Sequence, residues 1–271
     1  MYIGILGVGC VGNATAKGLE RGHIIWCYDK YKQGYGTLKE LADNCDVIFV
    51  TVPTPMKKSG DIDLSAIYES VGVLNEIVPE RDRDNKVIIV IRSTAVSGTT
   101  DSLAKKYPKF DFAFNPEFLT ARNSVQDFLN SKRVVIGANS DRVFNALEKI
   151  YRDAQFTCPI IRMDIKTSEM VKYASNVMLM SQVIVANEIY EICKHLDIDY
   201  QEIVPILKQD DRIGKMVDVP GYDNDRGAGG SCFPKDLNAL IYLAREHGYR
   251  PDLLEEIWRT NLKFRKKIDW L

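Results

Sequence analysis

Short apolar runs recur along the first 160 positions, and stretches whose apolar residues come round every three or four places separate most of them. Residues 2–6, 24–28, Val47–Thr51, Val87–Ile91, Phe112–Phe114 and Val134–Ile136 read as strands, and Leu64–Val78 and Arg142–Tyr151 read as helices. Strand and helix alternating at this spacing predict parallel βαβ units. Residues 1–160 are therefore expected to form an α/β domain, a Rossmann-like doubly wound parallel sheet. The character changes after Pro159. A long helical pattern from about Thr167 to His195 is followed by helices and loops, so residues 161–271 are expected to form an all-α domain, with the boundary near 158–166.

The long helix does not keep its apolar residues to one stripe. Met170, Tyr173, Val177, Met178, Ile184, Val185 and Ile189 together cover nearly the whole circumference, the pattern of a helix buried between domains or subunits. A homodimer through this helix is expected. Further on, Pro234 reads as the start of a helix reaching about Glu246. A final helix is expected from Leu253 to about Trp270, with the basic run Lys263–Lys267 as a solvated turn favoured by the helix dipole.

Composition narrows the function. With 45% hydrophobic and 27% charged residues, the 271-residue chain has material for a packed core. Its 36 Lys+Arg against 37 Asp+Glu argue against nucleic-acid or membrane-surface partners, which call for a basic excess. No apolar run approaches the ~18 residues of a membrane span. The opening Met1-Tyr2-Ile3-Gly4-Ile5-Leu6 has no basic segment before it, so no leader and a cytoplasmic location are expected. The six cysteines show no CxxC spacing, and no metal site is expected.

Three clusters carry candidate chemistry. Gly7-Val8-Gly9-Cys10-Val11-Gly12 is a GxGxxG between the first strand and the first helix, and Asp29 stands at the end of the second strand. Gly7 permits the tight turn, Gly9 lets a pyrophosphate approach the backbone, and Gly12 lets helix and strand pack closely. Asp29 is placed to hold ribose hydroxyls, which favours NAD over NADP, although Lys30 follows it. Gly229-Gly230-Ser231-Cys232-Phe233-Pro234-Lys235-Asp236 puts a cysteine just ahead of a helix N-terminus with a lysine nearby, both of which favour a reactive thiolate. The alternative is a Gly-rich loop with an inert cysteine and Asp236 as a helix-dipole acid. Lys172 and Asn176 stand one turn apart on the long helix, where Glu169 could simply pair with Lys172.

Taken in order, these segments, with Val52-Pro53-Thr54-Pro55, Ser93-Thr94, Asn115-Pro116-Glu117-Phe118-Leu119, Ser168–Asn176 and Asn187-Glu188, resemble the UDP-glucose/GDP-mannose dehydrogenase family through nearly the whole chain, most closely its UDP-glucose-oxidising members. The resemblance implies an NAD-dependent, two-step oxidation of a nucleotide-sugar C6 alcohol to the carboxylate. Cys232 then matches the nucleophile that captures the aldehyde, Lys172 and Asn176 the donors to substrate and oxyanion, and Asp236 the carboxylate that moves protons. Thr94 matches a threonine beside the nicotinamide. Gly7, Gly9, Val11, Gly12, Asp29, Thr54 and Lys235 match cofactor contacts, and Glu117, Phe118, Leu119 and Gly229 match the substrate's surroundings. Two departures stand out. Thr120 and Ala121 replace the usual Arg-Glu, so that carboxylate is missing, and the sequence stops at Leu271, where the family continues into a nucleotide-closing domain. A single-step 3-hydroxyacid-type dehydrogenase, or a non-catalytic dimerisation module, are the alternatives.

Overall fold

The computed structural model describes residues 1–82 and 85–270. The chain divides into two compact units, Met1–Thr54 with Asp63–Lys172, and Pro55–Ile62 with Tyr173–Leu271 (whose last residue lies outside the described set).

The first unit is built on a seven-stranded sheet in the order β2-β1-β3-β4-β5-β6-β7. Its strands are β1 (Tyr2–Leu6), β2 (Ile24–Tyr28), β3 (Val47–Val50), β4 (Ile88–Ile91), β5 (Asp111–Phe114), β6 (Val134–Ala138) and β7 (Ile160–Met163). Helices α1 (Cys10–Leu19), α5 (Ser124–Leu129) and α6 (Asp141–Asp153) contribute to a core that contains Ile3, Ile5, Phe49 and Val90. On the other face α2 (Leu38–Asn44), α3 (Ser65–Ile77) and α4 (Thr99–Lys106) cover Ile48, Val50, Ile89 and Ile91. Burial on both faces explains why β3 and β4 read as unbroken apolar runs rather than alternating ones.

The sheet departs from the sequence expectation in two places. β5 and β6 pair antiparallel, Phe114 opposite Gly137. The α-helix in the connection between them is the six-residue α5, about 9 Å long, which is shorter than the roughly 13 Å of a four-residue strand. The chain therefore does not return to the start of the sheet, and β6 runs back beside β5. The second difference is β7, which pairs parallel with β6 and has the exposed Ile161 and Arg162 at its middle. An edge strand this short and this exposed leaves little hydrophobic pattern to read.

Helix α7 (Ile165–His195) begins in the first unit and continues into the second. There it is followed by α8 (Tyr200–Leu207), α9 (Phe233–Glu246) and α10 (Asp252–Phe264). Val177 and Met180 of α7 pack with Leu237 and Ile241 of α9, while Ala186 and Cys193 pack with Tyr200 and Val204 of α8. α7 is not apolar-buried all round: Met178, Val185, Ile189 and Ile192 are exposed. α10 ends at Phe264, short of Trp270, because Asp225 accepts the N–H groups of Lys266 and Lys267 and Trp270 folds back edge-on to Trp258. Arg265 is consequently buried among acids rather than lying on a solvated turn.

Candidate active site

The chain of the first unit reverses its direction across the sheet between β1 and β3, and open α/β sheets bind ligands outside the strand carboxyl ends at such a point. Gly7, at φ +94, turns the chain there. A Cβ on Gly12 would stand 2.0 Å from the Gly7 carbonyl oxygen and 2.7 Å from Thr51 Oγ1, so no other residue fits. Gly9 is the reverse case, with no atom within 4 Å of where a Cβ would be. It is also the N-cap of α1, which has no side-chain cap and no acid in its first turn. Uncapped N–H groups beside open backbone form a cradle for an anion, and a dinucleotide pyrophosphate fits it.

Asp29 follows β2 and binds the same turn. Its Oδ2 accepts Val8 N–H at 2.7 Å, and its Oδ1 accepts Tyr31 and Lys32 N–H at 2.9 and 3.1 Å. Partial burial pushes this carboxyl up, but the three amides and the nearby Lys32 ammonium outweigh it and hold it below the usual carboxylate range. Lys30, the lysine weighed from the sequence, turns away to Glu69 at 2.8 Å. Lys32 instead reaches the Val8 carbonyl at 2.6 Å. Thr51, also unremarked in the sequence, ties β3 to the turn through Gly7 O at 2.5 Å. Val11 is half-buried in the first turn of α1, Thr54 is buried after β3, and Thr94 is half-buried after β4.

Beyond β5 the first unit places Glu117, Phe118 and Leu119 on a turn. Glu117 Oε2 accepts Leu119 N–H at 2.7 Å, and Oε1 meets Lys172 Nζ at 2.6 Å, both side chains nearly inaccessible to solvent. Burial pushes the Glu117 carboxyl up; Lys172, the Leu119 amide and Arg92 overcome this and leave it below its ordinary value. Buried Arg92, Asn115 and Tyr151 stand behind this turn, with Arg92 and Tyr151 both donating to Asn115 Oδ1. Asn115 opens the Asn115–Leu119 segment read from the sequence, while Arg92 and Tyr151 had no functional signal there. At the departures, Thr120 is tied to Asp127, and Ala121 opens a short 3-10 turn whose carbonyl meets Cys10 Sγ at 3.4 Å.

Glu169 does not pair with Lys172. It reaches the start of α4, where Oε2 accepts Gly98 N–H at 2.5 Å and Oε1 accepts Thr100 N–H and Oγ1–H at 2.9 and 2.7 Å. Burial pushes this carboxyl up to about 7 against the three donors.

In the second unit Asn176 Nδ2 donates to Asp236 Oδ2 at 2.5 Å, and Lys235 Nζ pairs with Asp236 Oδ1; all three are buried. Cys232 is the N-cap of α9, one turn before Asp236, whose N–H donates to the Cys232 carbonyl at 2.9 Å. The turn ahead of it is fastened from three sides. Asn187 Oδ1 accepts Gly227 N–H, Asn261 Oδ1 accepts Ala228 N–H, and Asp269 Oδ1 accepts Gly230 N–H, at 3.1, 2.7 and 2.9 Å. At Gly229 the group in close approach is the Arg265 guanidinium, which a Cβ would meet at 1.9 Å. The structure thus gathers Asn176, Asp236, Lys235, Gly229 and Cys232 in one unit, and Glu117 and Lys172 in the other.

Residues 34–155 match the NAD binding domain, and residues 166–263 the central domain, of the UDP-glucose/GDP-mannose dehydrogenase family. A UDP-glucose 6-dehydrogenase of Haloferax volcanii is 35% identical over 229 residues, 80% of this chain and 52% of that protein. Another, of Bacillus subtilis, is 31% identical over 301 residues, 96% of this chain and 66% of that protein. The chain thus spans about half to two thirds of the length of these curated relatives. Among solved structures, a UDP-glucose dehydrogenase from Pyrobaculum islandicum superposes with a TM-score of 0.85 at 27% identity, over 97% of this chain and 68% of that one. A 3-hydroxyisobutyrate dehydrogenase of Mycobacterium tuberculosis shares the fold, at a TM-score of 0.76 and 14% identity, over 99% of this chain and 96% of that one.

Proposed function

Because the chain belongs to the UDP-glucose/GDP-mannose dehydrogenase family, we propose that it oxidises the C6 alcohol of a nucleotide sugar, UDP-glucose, to the carboxylate with NAD. The buried contact of Asn176 with Asp236 carries this reading, since it pairs an amide donor with a carboxylate on the helix whose N-cap is Cys232.

The open turn at Gly7, Gly9, Val11 and Gly12, with Asp29, would hold the dinucleotide, and Thr54, Thr94 and Lys235 would add contacts to it. NAD+, when bound, takes up one hydride in each of two oxidations. Between them the Cys232 sulfur adds to the aldehyde carbon: a C–S bond forms, the carbonyl oxygen takes a proton, and the adduct again carries a hydrogen that can leave as hydride. The second oxidation leaves a thioester. Water adds to it, the C–S bond breaks, and the acid departs as the thiol is restored.

The Asn176 amide has two hydrogens, of which Asp236 takes one; the other, like the Lys172 ammonium, can donate to an oxygen gathering negative charge. Asp236 can take and return protons beside the thiol. In the first unit Glu117 orients Lys172, and Phe118 and Leu119 on its turn are proposed substrate contacts; Gly229 is a proposed substrate contact of the second.

Counting NADH per UDP-glucose consumed tests the reading, two being expected. One NADH would indicate a single oxidation of the 3-hydroxyacid kind, and NAD binding without sugar-nucleotide binding would leave a non-catalytic module. Cys232→Ser should stop acid formation and leave NAD affinity nearly unchanged.

The proposal extends to assembly. Met178, Val185, Ile189 and Ile192 are spaced seven, four and three residues apart, which puts them on one stripe of α7. A second copy of the chain is the proposed cover, giving a homodimer.

A further inference from the structure

The Cys232 turn is braced by the segment that follows α10, and this brace is built around one buried arginine. Arg265 Nη1 meets Asp223 at 2.6 Å, Nε lies 3.6 Å from Asp225, and Nη2 meets Asp269 at 2.7 Å. Its side chain is 1% exposed. The guanidinium presses on Gly229 from the side where any other residue would carry a Cβ. Asp269 bridges the two parts: Oδ2 accepts from Arg265, and Oδ1 accepts Gly230 N–H, two residues before Cys232. Three acids around one guanidinium exceed what neutralising its charge requires. A planar fork with five N–H donors does, however, need several acceptors to fix its orientation, and Gly229 registers that orientation by contact.

We propose that Arg265 and Asp269 are positioning residues for the nucleophile, holding the Gly229–Cys232 turn so that the thiol stays at the N-terminus of α9. The role of Cys232 as nucleophile rests on the function proposed above; the brace itself does not. The clamp sets where the sulfur stands and touches no reacting atom.

Thiol chemistry tests this without turnover. The 271-residue chain is treated with iodoacetamide at pH 7, and the alkylation rate of each cysteine is read by mass spectrometry, with exposed Cys10 of the first unit as the internal reference. Asp269→Ala removes the Gly230 acceptor and one Arg265 partner from a side chain that is 41% exposed, so folding should survive. Cys232 alkylation is expected to slow about tenfold in this variant, the loss expected when a thiol leaves a helix N-terminus that favours its anionic form. Cys10 should be unchanged. Asp269→Asn keeps an oxygen for Gly230 N–H and should restore most of the rate. Arg265→Met should match Asp269→Ala; if it does not fold, the Asp269 pair decides alone. Identical Cys232 rates in wild type, Asp269→Ala and Asp269→Asn would overturn the clamp. A tenfold loss in a chain that makes no NADH from UDP-glucose would keep the clamp and sink the functional reading instead.

Discussion

Burying Glu117 with Lys172 strips two ions of water, and their attraction offsets that only while both are present. Lys172→Met should therefore lower unfolding free energy by about 3–5 kcal/mol in urea titrations, the range for a buried pair losing one partner. The pH dependence has a definite sign. Glu117 holds its proton less tightly folded than unfolded, so its contribution is complete above the ordinary value of 4.5 and fades as pH falls through the lower folded value. Wild type and Glu117→Gln should accordingly differ most near neutrality and converge in acid. At this scale the sequence was legible wherever geometry is local: Gly7, Gly12 and Asp29 stand where a strand–turn–helix needs them. It put Glu169 beside Lys172 and Arg265 on a solvated turn, and was silent on Arg92, because spacing along a helix names candidate partners and only tertiary packing selects among them.

Among the elements, α4 depends on a cap from another helix. Its N-cap is Gly98, a left-handed residue with no side chain to offer, and the Glu169 carboxylate from α7 supplies the acceptors instead. The Thr94 turn leads directly into this capped end. Glu169 binds its proton more tightly folded, with a value of about 7, than unfolded, near 4.5. Its contribution to stability is therefore full below the unfolded value and is lost as pH rises through the folded one. Between pH 5 and pH 8, wild type should lose stability relative to Glu169→Gln; parallel urea midpoints across that range would refute the assignment. Strands β1 and β3 to β6 and helices α3 and α6 were readable from their apolar pattern because each sends residues into a buried core, and α9 from the proline at its start. β7 and the true end of α10 were not, since the first is a half-exposed edge and the second is set by Asp225, some forty residues upstream.

For the whole molecule, the exposed α7 stripe sets the expected assembly. Ile189→Lys and Val185→Glu each place a charge where a second copy would bury it, so sedimentation should show a shift from dimer to monomer with secondary structure retained. Wild type sedimenting as a monomer at micromolar concentration would count against the homodimer. The matched family domains cover residues 34–155 and 166–263, and the two folded units take in the chain on either side of them.

The helical unit borrows eight residues, Pro55–Ile62, from the middle of the α/β sequence. That loan closes on itself through the Met56–Ile62 bridge, and its Gly60 lies beside Asn238 of α9. A gene cut anywhere near residue 160 therefore yields no clean halves: the downstream piece loses its borrowed hairpin and carries off β7 and Lys172. Recombination or grafting of this module has to move two separate stretches of coding sequence together.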